Sequence, residues 1–316
     1  MSRICVTGGL GFIGSHLCRA LWDLGHEVTC IDRLSGCYAP GCGLDAKEAL
    51  GGLSGVRVMR ADIADEPLEP LFEQAAVVVH LAALPGVRTG HRRTALFRNN
   101  TLATARVLAA LRPEQRLLFV STSSVYGDTA PIPTPESWPA CPLNPYAASK
   151  LAAEHACLAA AAAGQDVVIA RLFTVYGPGQ RPDMAFARWI EDIRSDRPIL
   201  WCARLDACRD FTYVDDAVRG LIAALSGGQA GRAYNVPGAG SVPVGRALAT
   251  IEEILGRRAE VVSRPSPVSE SRTTAACSRR AATELDYSAR VTLAEGLRRQ
   301  IDRVLEADPC FAPVAA

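Results

Sequence analysis

Short apolar runs alternate with longer stretches of helical period through the first half of the chain. Segments 4–7, 27–31, 56–60, 76–81, 116–120 and 167–172 read as strands, while 15–24, 95–111 and 145–163 carry helical patterning. The run 76–81 is continuously apolar, as a strand buried on both faces requires. This alternation predicts an α/β fold, a Rossmann-type doubly wound parallel sheet. From Tyr176 the texture changes. Gly177-Pro178-Gly179-Gln180-Arg181-Pro182 is turn-rich, and later elements are shorter. A cofactor-binding domain over 1–172 is therefore expected, then a smaller α/β substrate domain over 173–312 with segments returning to the first.

The first strand feeds Gly8-Gly9-Leu10-Gly11-Phe12-Ile13-Gly14, and a helix follows. Strand, glycine turn and helix in that order form a dinucleotide fingerprint. Gly8 permits the tight turn, Gly11 lets backbone approach a pyrophosphate, and Gly14 lets helix and strand pack closely. The helix N-terminus offers unpaired N–H groups to the phosphates. The second strand ends at Asp32, placed to accept both adenosine ribose hydroxyls; a carboxylate there repels a 2′-phosphate and favours NAD, although the adjacent Arg33 leaves NADP open. Asp62-Ile63, after the third strand, is where the chain can meet an adenine ring.

Only two lysines stand among 34 Lys and Arg residues, and one is Lys150, four residues after Tyr146. An ammonium is a compact point charge where a guanidinium is a planar fork. One helical turn from a phenol, it is expected to lower the tyrosine pKa and make Tyr146 a general base.

Composition narrows the rest. A chain of 316 residues can bury a large core, and a net charge of +1 gives no sign of a nucleic-acid or membrane-surface partner. No apolar run approaches the ~20 residues of a membrane span. The N-terminus enters a strand at once, so no signal peptide is expected. The 11 cysteines are scattered without metal-like spacing, and the five histidines form no ligand cluster. A reduced, cytoplasmic chain without a metal is the expectation.

Gly8-x-x-Gly11-x-x-Gly14, His80-Leu-Ala-Ala83, Ser121-Thr-Ser-Ser-Val-Tyr-Gly127, Tyr146-x-x-x-Lys150, Val175-Tyr-Gly-Pro178 and Arg209-Asp-Phe211 occur in that order. Together they resemble the extended short-chain dehydrogenases/reductases of the sugar-nucleotide epimerase and dehydratase group. The likeness runs from Arg3 to about residue 305. Ala83-Leu-Pro-Gly-Val-Arg88 and the segment 173–184 look most like UDP-glucuronate 4-epimerases.

The resemblance implies bound NAD, held by Gly8, Gly11, Phe12, Ile13, Gly14, Asp32, Arg33, Asp62, Ile63, Leu81, Ala82, Ala83 and Asn100 together with Tyr146 and Lys150. It implies that Tyr146 removes the proton of the sugar 4-hydroxyl, that Lys150 holds the nicotinamide ribose, and that Thr122 bonds the same sugar hydroxyl. Ser123 and Ser124 stand where the related 4,6-dehydratases carry an Asp-Glu pair, which disfavours dehydration. Thr122, Ser123, Ser124 and Thr174 match positions around a uronate carboxylate, with Arg88 and Arg181 near the same sugar. Arg209 and Arg272 match arginines that grip the diphosphate. A homodimer through the helices near 95–111 and 147–163 is also implied.

The family's usual Gly-Asp-Gly turn before Arg-Asp-Phe is replaced here by Trp201-Cys-Ala-Arg-Leu-Asp-Ala-Cys208. Two alternatives therefore stay open beside 4-epimerisation of UDP-glucuronate. One is an epimerase or decarboxylase acting on a glucuronic acid carried by a different nucleoside-like group; the other is a 4-epimerase of a neutral UDP-hexose. A dinucleotide sensor and a stoichiometric dehydrogenase are the contrasting classes.

Overall fold

A computed structural model describes residues 1–34, 44–85, 91–128, 130–201, 207–264 and 271–307. Its strands are β1 Arg3–Thr7, β2 Glu27–Asp32, β3 Val56–Arg60, β4 Val77–His80, β5 Arg116–Thr122, β6 Asp166–Leu172, β7 Thr174–Tyr176, β8 Ile199–Trp201, β9 Cys208–Tyr213, β10 Ala233–Val236, β11 Ser241–Pro243 and β12 Val261–Ser263. Seven form one parallel sheet in the order β10-β6-β5-β4-β1-β2-β3. The order reverses between β1 and β4. In such sheets the crevice beyond the strand C-termini at this switch point receives the ligand.

Side-chain alternation along the strands divides the core between the two faces. Ile4, Val6, Leu118, Val120, Val168 and Ala170 pack on one side, whereas Cys5, Leu117, Phe119, Val167 and Ile169 pack on the other. Helices Phe12–Asp23 and Val214–Gly227 cover the first face with Leu17, Leu21, Leu221 and Ala224. Helices Ala103–Ala110 and Pro145–Ala162 cover the second with Val107, Ala153 and Cys157. Each fully buried Val, Leu or Ile contributes about 1.5–3 kcal/mol. Edge strand β3 instead exposes Arg57 and Arg60 and half-buries Val56, Val58 and Met59.

One sequence expectation needs correction. The region read as a single helix over 95–111 is an α-helical turn, Arg93–Leu96, a π-helical segment, Phe97–Leu102, and then Ala103–Ala110. The wider turn buries Asn100, a polar residue that an ordinary helix would have to place otherwise.

After β6 the chain builds the sheets β11-β9-β7 and β12-β8. Their aromatics interlock: Phe186 meets Tyr176, Trp189 and Phe211, and Trp189 stacks on Trp201 with centroids 4.9 Å apart. The helix Leu293–Ala307 lies close against this group, since a Cβ on Gly296 would fall 2.3 Å from the Tyr176 hydroxyl. Asp210, buried on β9, accepts Gly238 N–H at 2.7 Å and Ala276 N–H at 3.0 Å. Its carboxylate thus ties β9 to two loop segments remote in sequence. Among the described residues, no helix is long and apolar enough to cross a membrane, and Cys5, Cys18, Cys30, Cys141, Cys157 and Cys277 are free thiols.

Candidate active site

A cleft of about 370 Å³ opens at the switch point between β1 and β4. Its floor is the glycine turn. Gly8 has φ +72°, and a Cβ there would meet Ala82 N at 2.7 Å, so the loop after β4 can lie directly against the turn. A Cβ on Gly14 would fall 2.2 Å from the Gly8 carbonyl, which fixes how closely the helix Phe12–Asp23 approaches the strand. Asp32 braces the turn from β2 by accepting Leu10 N–H at 3.2 Å, and its other oxygen accepts Leu34 N–H at 3.0 Å.

The cleft walls contain Gly8, Gly11, Phe12, Ile13, Gly14, Asp32, Arg33, Asp62, Ile63, Leu81, Ala82 and Ala83, together with Thr122, Tyr146, Lys150 and Arg181. Asn100 lies behind them. Its side chain is occupied by Leu84 N–H at 2.7 Å, the Leu84 carbonyl at 3.1 Å and the Ser149 hydroxyl at 2.9 Å. The residue therefore positions the β4 loop against the helix that carries Tyr146, and its neighbour Asn99 faces the cleft. Sequence reasoning passed over Asn99, Leu84, Pro85, Ser121, Phe173, Val175 and Met184 as cleft-lining residues. Asn99 adjoins Asn100, and the other six lie within the motif segments 83–88, 121–127 and 173–184, which were their signal.

The donor set fits a dinucleotide. The helix N-terminus has no side-chain cap and no carboxylate in its first turn, as an anion-binding end requires. Asp32 supplies an acceptor for hydroxyls, and Ile31, Ala61 and Ile63 give an apolar wall. Ser121, which lines the cleft from the end of β5, has a buried Oγ with no hydrogen-bond partner, a condition that a bound polar group would relieve.

The helix Pro145–Ala162 starts on Asn144, whose side chain accepts Ala147 N–H at 2.9 Å, with Pro145 at its first position. Tyr146 falls in the first turn and Lys150 one turn later. Lys150 is buried. Its Nζ donates to the Val120 carbonyl at 2.7 Å and sits 4.1 Å from the centre of the Phe119 ring. Burial pulls its pKa down to about 8, against a smaller opposing pull from Cys157 and Glu154.

The tyrosine departs from expectation. Tyr146 is held above its ordinary value, because burial outweighs the hydrogen bonding of Thr122 and the charge of Arg181. The sequence reading made Lys150 the group that lowers it; here the downward influences come from Thr122 and Arg181. The Thr122 hydroxyl also accepts Ser124 N–H and donates to the Ser124 hydroxyl, each at 3.2 Å.

The remaining substrate candidates are more dispersed. Arg181 forms a two-pronged pair with Asp183 at 2.8 and 2.6 Å. Ser123 and Ser124 lie in the 3₁₀ turn Ser123–Tyr126, and Thr174 begins β7. Arg209 and Arg272 are neighbours: Arg209 donates to the Arg272 carbonyl at 3.1 Å, and Arg272 N–H donates to Asp128 at 2.6 Å. These five are outside the cleft's lining residues. Arg88 and residues 202–206 of the segment before Arg209 lie outside the described residues.

Buried His80 joins the site's supports. It contacts the Thr7 hydroxyl through Nδ1 at 2.7 Å and the Thr104 hydroxyl through Nε2 at 3.0 Å. Thr104 gives its single proton to the Asn100 carbonyl at 2.6 Å, so Nε2 must be the donor and Nδ1 the acceptor. Burial pulls His80 down to about 3, so the ring is neutral. Among the described residues, no three or more His, Cys, Asp or Glu side chains gather as a metal site.

Residues 4–237 match the NAD dependent epimerase/dehydratase family. The chain is 36% identical over 306 residues to a protein of Bacillus subtilis (strain 168) described as an uncharacterized UDP-glucose epimerase, YtcB. That match covers 95% of this chain and 96% of the relative. It is 33% identical to UDP-glucuronate 4-epimerase 5 of Arabidopsis thaliana, over 94% of this chain and 74% of that one. A solved UDP-glucuronic acid 4-epimerase from Bacillus cereus, in complex with UDP-glucuronic acid and NAD, superimposes with a TM-score of 0.91. It is 35% identical, and the match covers 96% of this chain and 99% of that chain.

Proposed function

This chain belongs to the NAD dependent epimerase/dehydratase family, and we propose that it is an NAD-dependent isomerase that interconverts UDP-glucuronate and UDP-galacturonate at C4. The observation that carries the reading is the meeting of Thr122, Tyr146 and Lys150 with the glycine turn and Asp32 in one cleft. The chemistry of the named relatives supports the choice of substrate.

NAD, when bound, supplies the acceptor and later the donor of the C4 hydride. Residues 1–172 hold it, through the uncapped helix end and Asp32, and residues 173–312 hold the nucleotide sugar. Tyr146 takes the proton of the 4-hydroxyl as the C4–H bond breaks, with Thr122 hydrogen-bonded to the same oxygen. The 4-keto sugar turns its other face before reduction, and Tyr146 returns the proton. Lys150 holds the nicotinamide ribose and keeps a positive charge near the phenol. Thr122, Ser123, Ser124 and Thr174, with Arg181, restrain the carboxylate, which a 4-ketone would otherwise make prone to leave as carbon dioxide, and Arg88 binds the same sugar. Arg209 and Arg272 grip the diphosphate.

Tyr146→Phe tests the assignment. The variant should retain NAD and lose about 100-fold or more in turnover, the usual effect of a positioned proton-transfer group. A neutral UDP-hexose is the second reading, favoured by the description of the Bacillus subtilis relative. The protein works as a cytoplasmic homodimer, paired through the helical segments around 93–110 and 145–162, where Phe97, Leu102 and Leu158 are exposed.

A further inference from the structure

Arg33 follows Asp32 directly and lines the adenosine end of the cleft. A guanidinium at that place is suited to a 2′-phosphate, for which its planar fork has matching geometry. In this protein one nitrogen of the fork is already held between two acceptors. Nη1 donates to Asn99 Oδ1 at 3.3 Å and lies 3.7 Å from Asp62 Oδ2. Both acceptors are themselves oriented. Asn99 donates its amide to the Ala95 carbonyl at 2.9 Å, which turns its oxygen toward Arg33. Asp62 accepts Ala64 N–H on Oδ1 at 2.9 Å, which leaves Oδ2 for the guanidinium. The three residues come from the ends of β2 and β3 and from the π-helical segment, and all three line the same cleft.

We propose that Asp62 and Asn99 form a clasp that withholds Arg33 from a 2′-phosphate, making this trio, with Asp32, the determinant of NAD over NADP. The inference rests on the cofactor reading above. Asp32 disfavours the extra phosphate by like charge. The clasp weakens the compensation that the neighbouring arginine would otherwise provide, because a phosphate taking Nη1 would have to displace a carboxylate and an amide at once. Cleavage of the clasp therefore shifts preference even with Asp32 intact.

The test uses Asp62→Asn, which keeps an oxygen for Ala64 N–H and removes the charge facing Arg33. Wild type, Asp62→Asn and Asp62→Asn/Arg33→Met are each exchanged exhaustively against an equimolar mixture of NAD⁺ and NADP⁺. Bound dinucleotides are then released by denaturation and counted by mass spectrometry. A charged hydrogen bond gained by the phosphate predicts about a tenfold or greater rise in the bound NADP-to-NAD ratio for Asp62→Asn. The double variant should return toward the wild-type ratio. An unchanged ratio in a folded Asp62→Asn protein overturns the clasp. So does a raised ratio that persists without Arg33, which would assign the effect to repulsion by Asp62 alone. Wild-type protein that holds neither dinucleotide would overturn the cofactor reading, and the clasp with it; NAD bound in all three at one ratio would overturn only the clasp.

Discussion

The Lys150 ammonium donates to the main-chain carbonyl of Val120 at 2.7 Å, joining the helix that carries Tyr146 to the strand that carries Thr122. The contact lies against the face of Phe119 in a buried slot. Lys150→Arg must place a wider, planar group there. It should cost about 1–3 kcal/mol in stability through overpacking and about 100-fold or more in turnover. Lys150→Met keeps the length and loses the charge. A lysine whose folded pKa is lowered to about 8 from 10.5 gives stability that is full above 10.5 and is lost as pH falls through 8. Urea unfolding at pH 10.5 and 7.5 should therefore show Lys150→Met gaining on wild type at the lower pH.

His80 predicts a separate acid response. Its ring is neutral in the folded protein down to about pH 3, while the unfolded chain protonates near 6.5. The stability it contributes is full above 6.5 and is lost progressively as pH falls toward 3. Urea midpoints for wild type and His80→Gln at pH 7, 5 and 4 test this. The variant should start less stable and fall less steeply, since it has no imidazole to charge.

On the helix that carries Tyr146, Glu154 forms a buried pair with Arg171 at 2.7 Å, and Arg171 also donates to the Tyr126 hydroxyl at 2.8 Å. Tyr126 in turn donates to Asn235 on β10 at 2.7 Å. Glu154→Gln leaves an uncompensated buried cation and should cost about 3–5 kcal/mol. Glu154→Leu/Arg171→Met should be more stable than Glu154→Gln. Thermal or urea unfolding of the two variants decides the point.

Much of this arrangement was legible in the chain. The strand over 56–60 coincides with β3 because its alternation of Val with Arg suits a sheet edge. The glycine turn, Asp32 and the Tyr146–Lys150 spacing all reach one cleft because each is local to a single strand–turn–helix junction or helix. The π-helical turn was not legible, since one wider turn barely disturbs the apolar period around it. Nor could the sequence reveal that Lys150 bonds Val120, thirty residues away, or that burial raises Tyr146. Both depend on how two elements pack. Asp210 shows the same limit: its motif suggested a ligand site, and its side chain is a structural tie to Gly238 and Ala276.

Assembly is testable apart from chemistry. Phe97, Leu102 and Leu158 expose apolar surface on the two helical segments assigned to the dimer contact. Leu102→Glu/Leu158→Glu should yield a monomeric mass by light scattering at micromolar concentration, and wild type a dimeric one. A monomeric wild type would remove the dimer from the account.

The central claim is C4 epimerisation of a uronate with recycled cofactor. Purified protein is incubated with UDP-glucuronate, without added dinucleotide, and the products are followed by proton NMR alongside a parallel UDP-glucose sample. The account predicts UDP-galacturonate accumulating to an equilibrium mixture over many turnovers, slower or no conversion of UDP-glucose, and no build-up of NADH. A UDP-pentose as the main product, a reaction that proceeds only with UDP-glucose, or turnover that stops when stoichiometric NAD is reduced would contradict it.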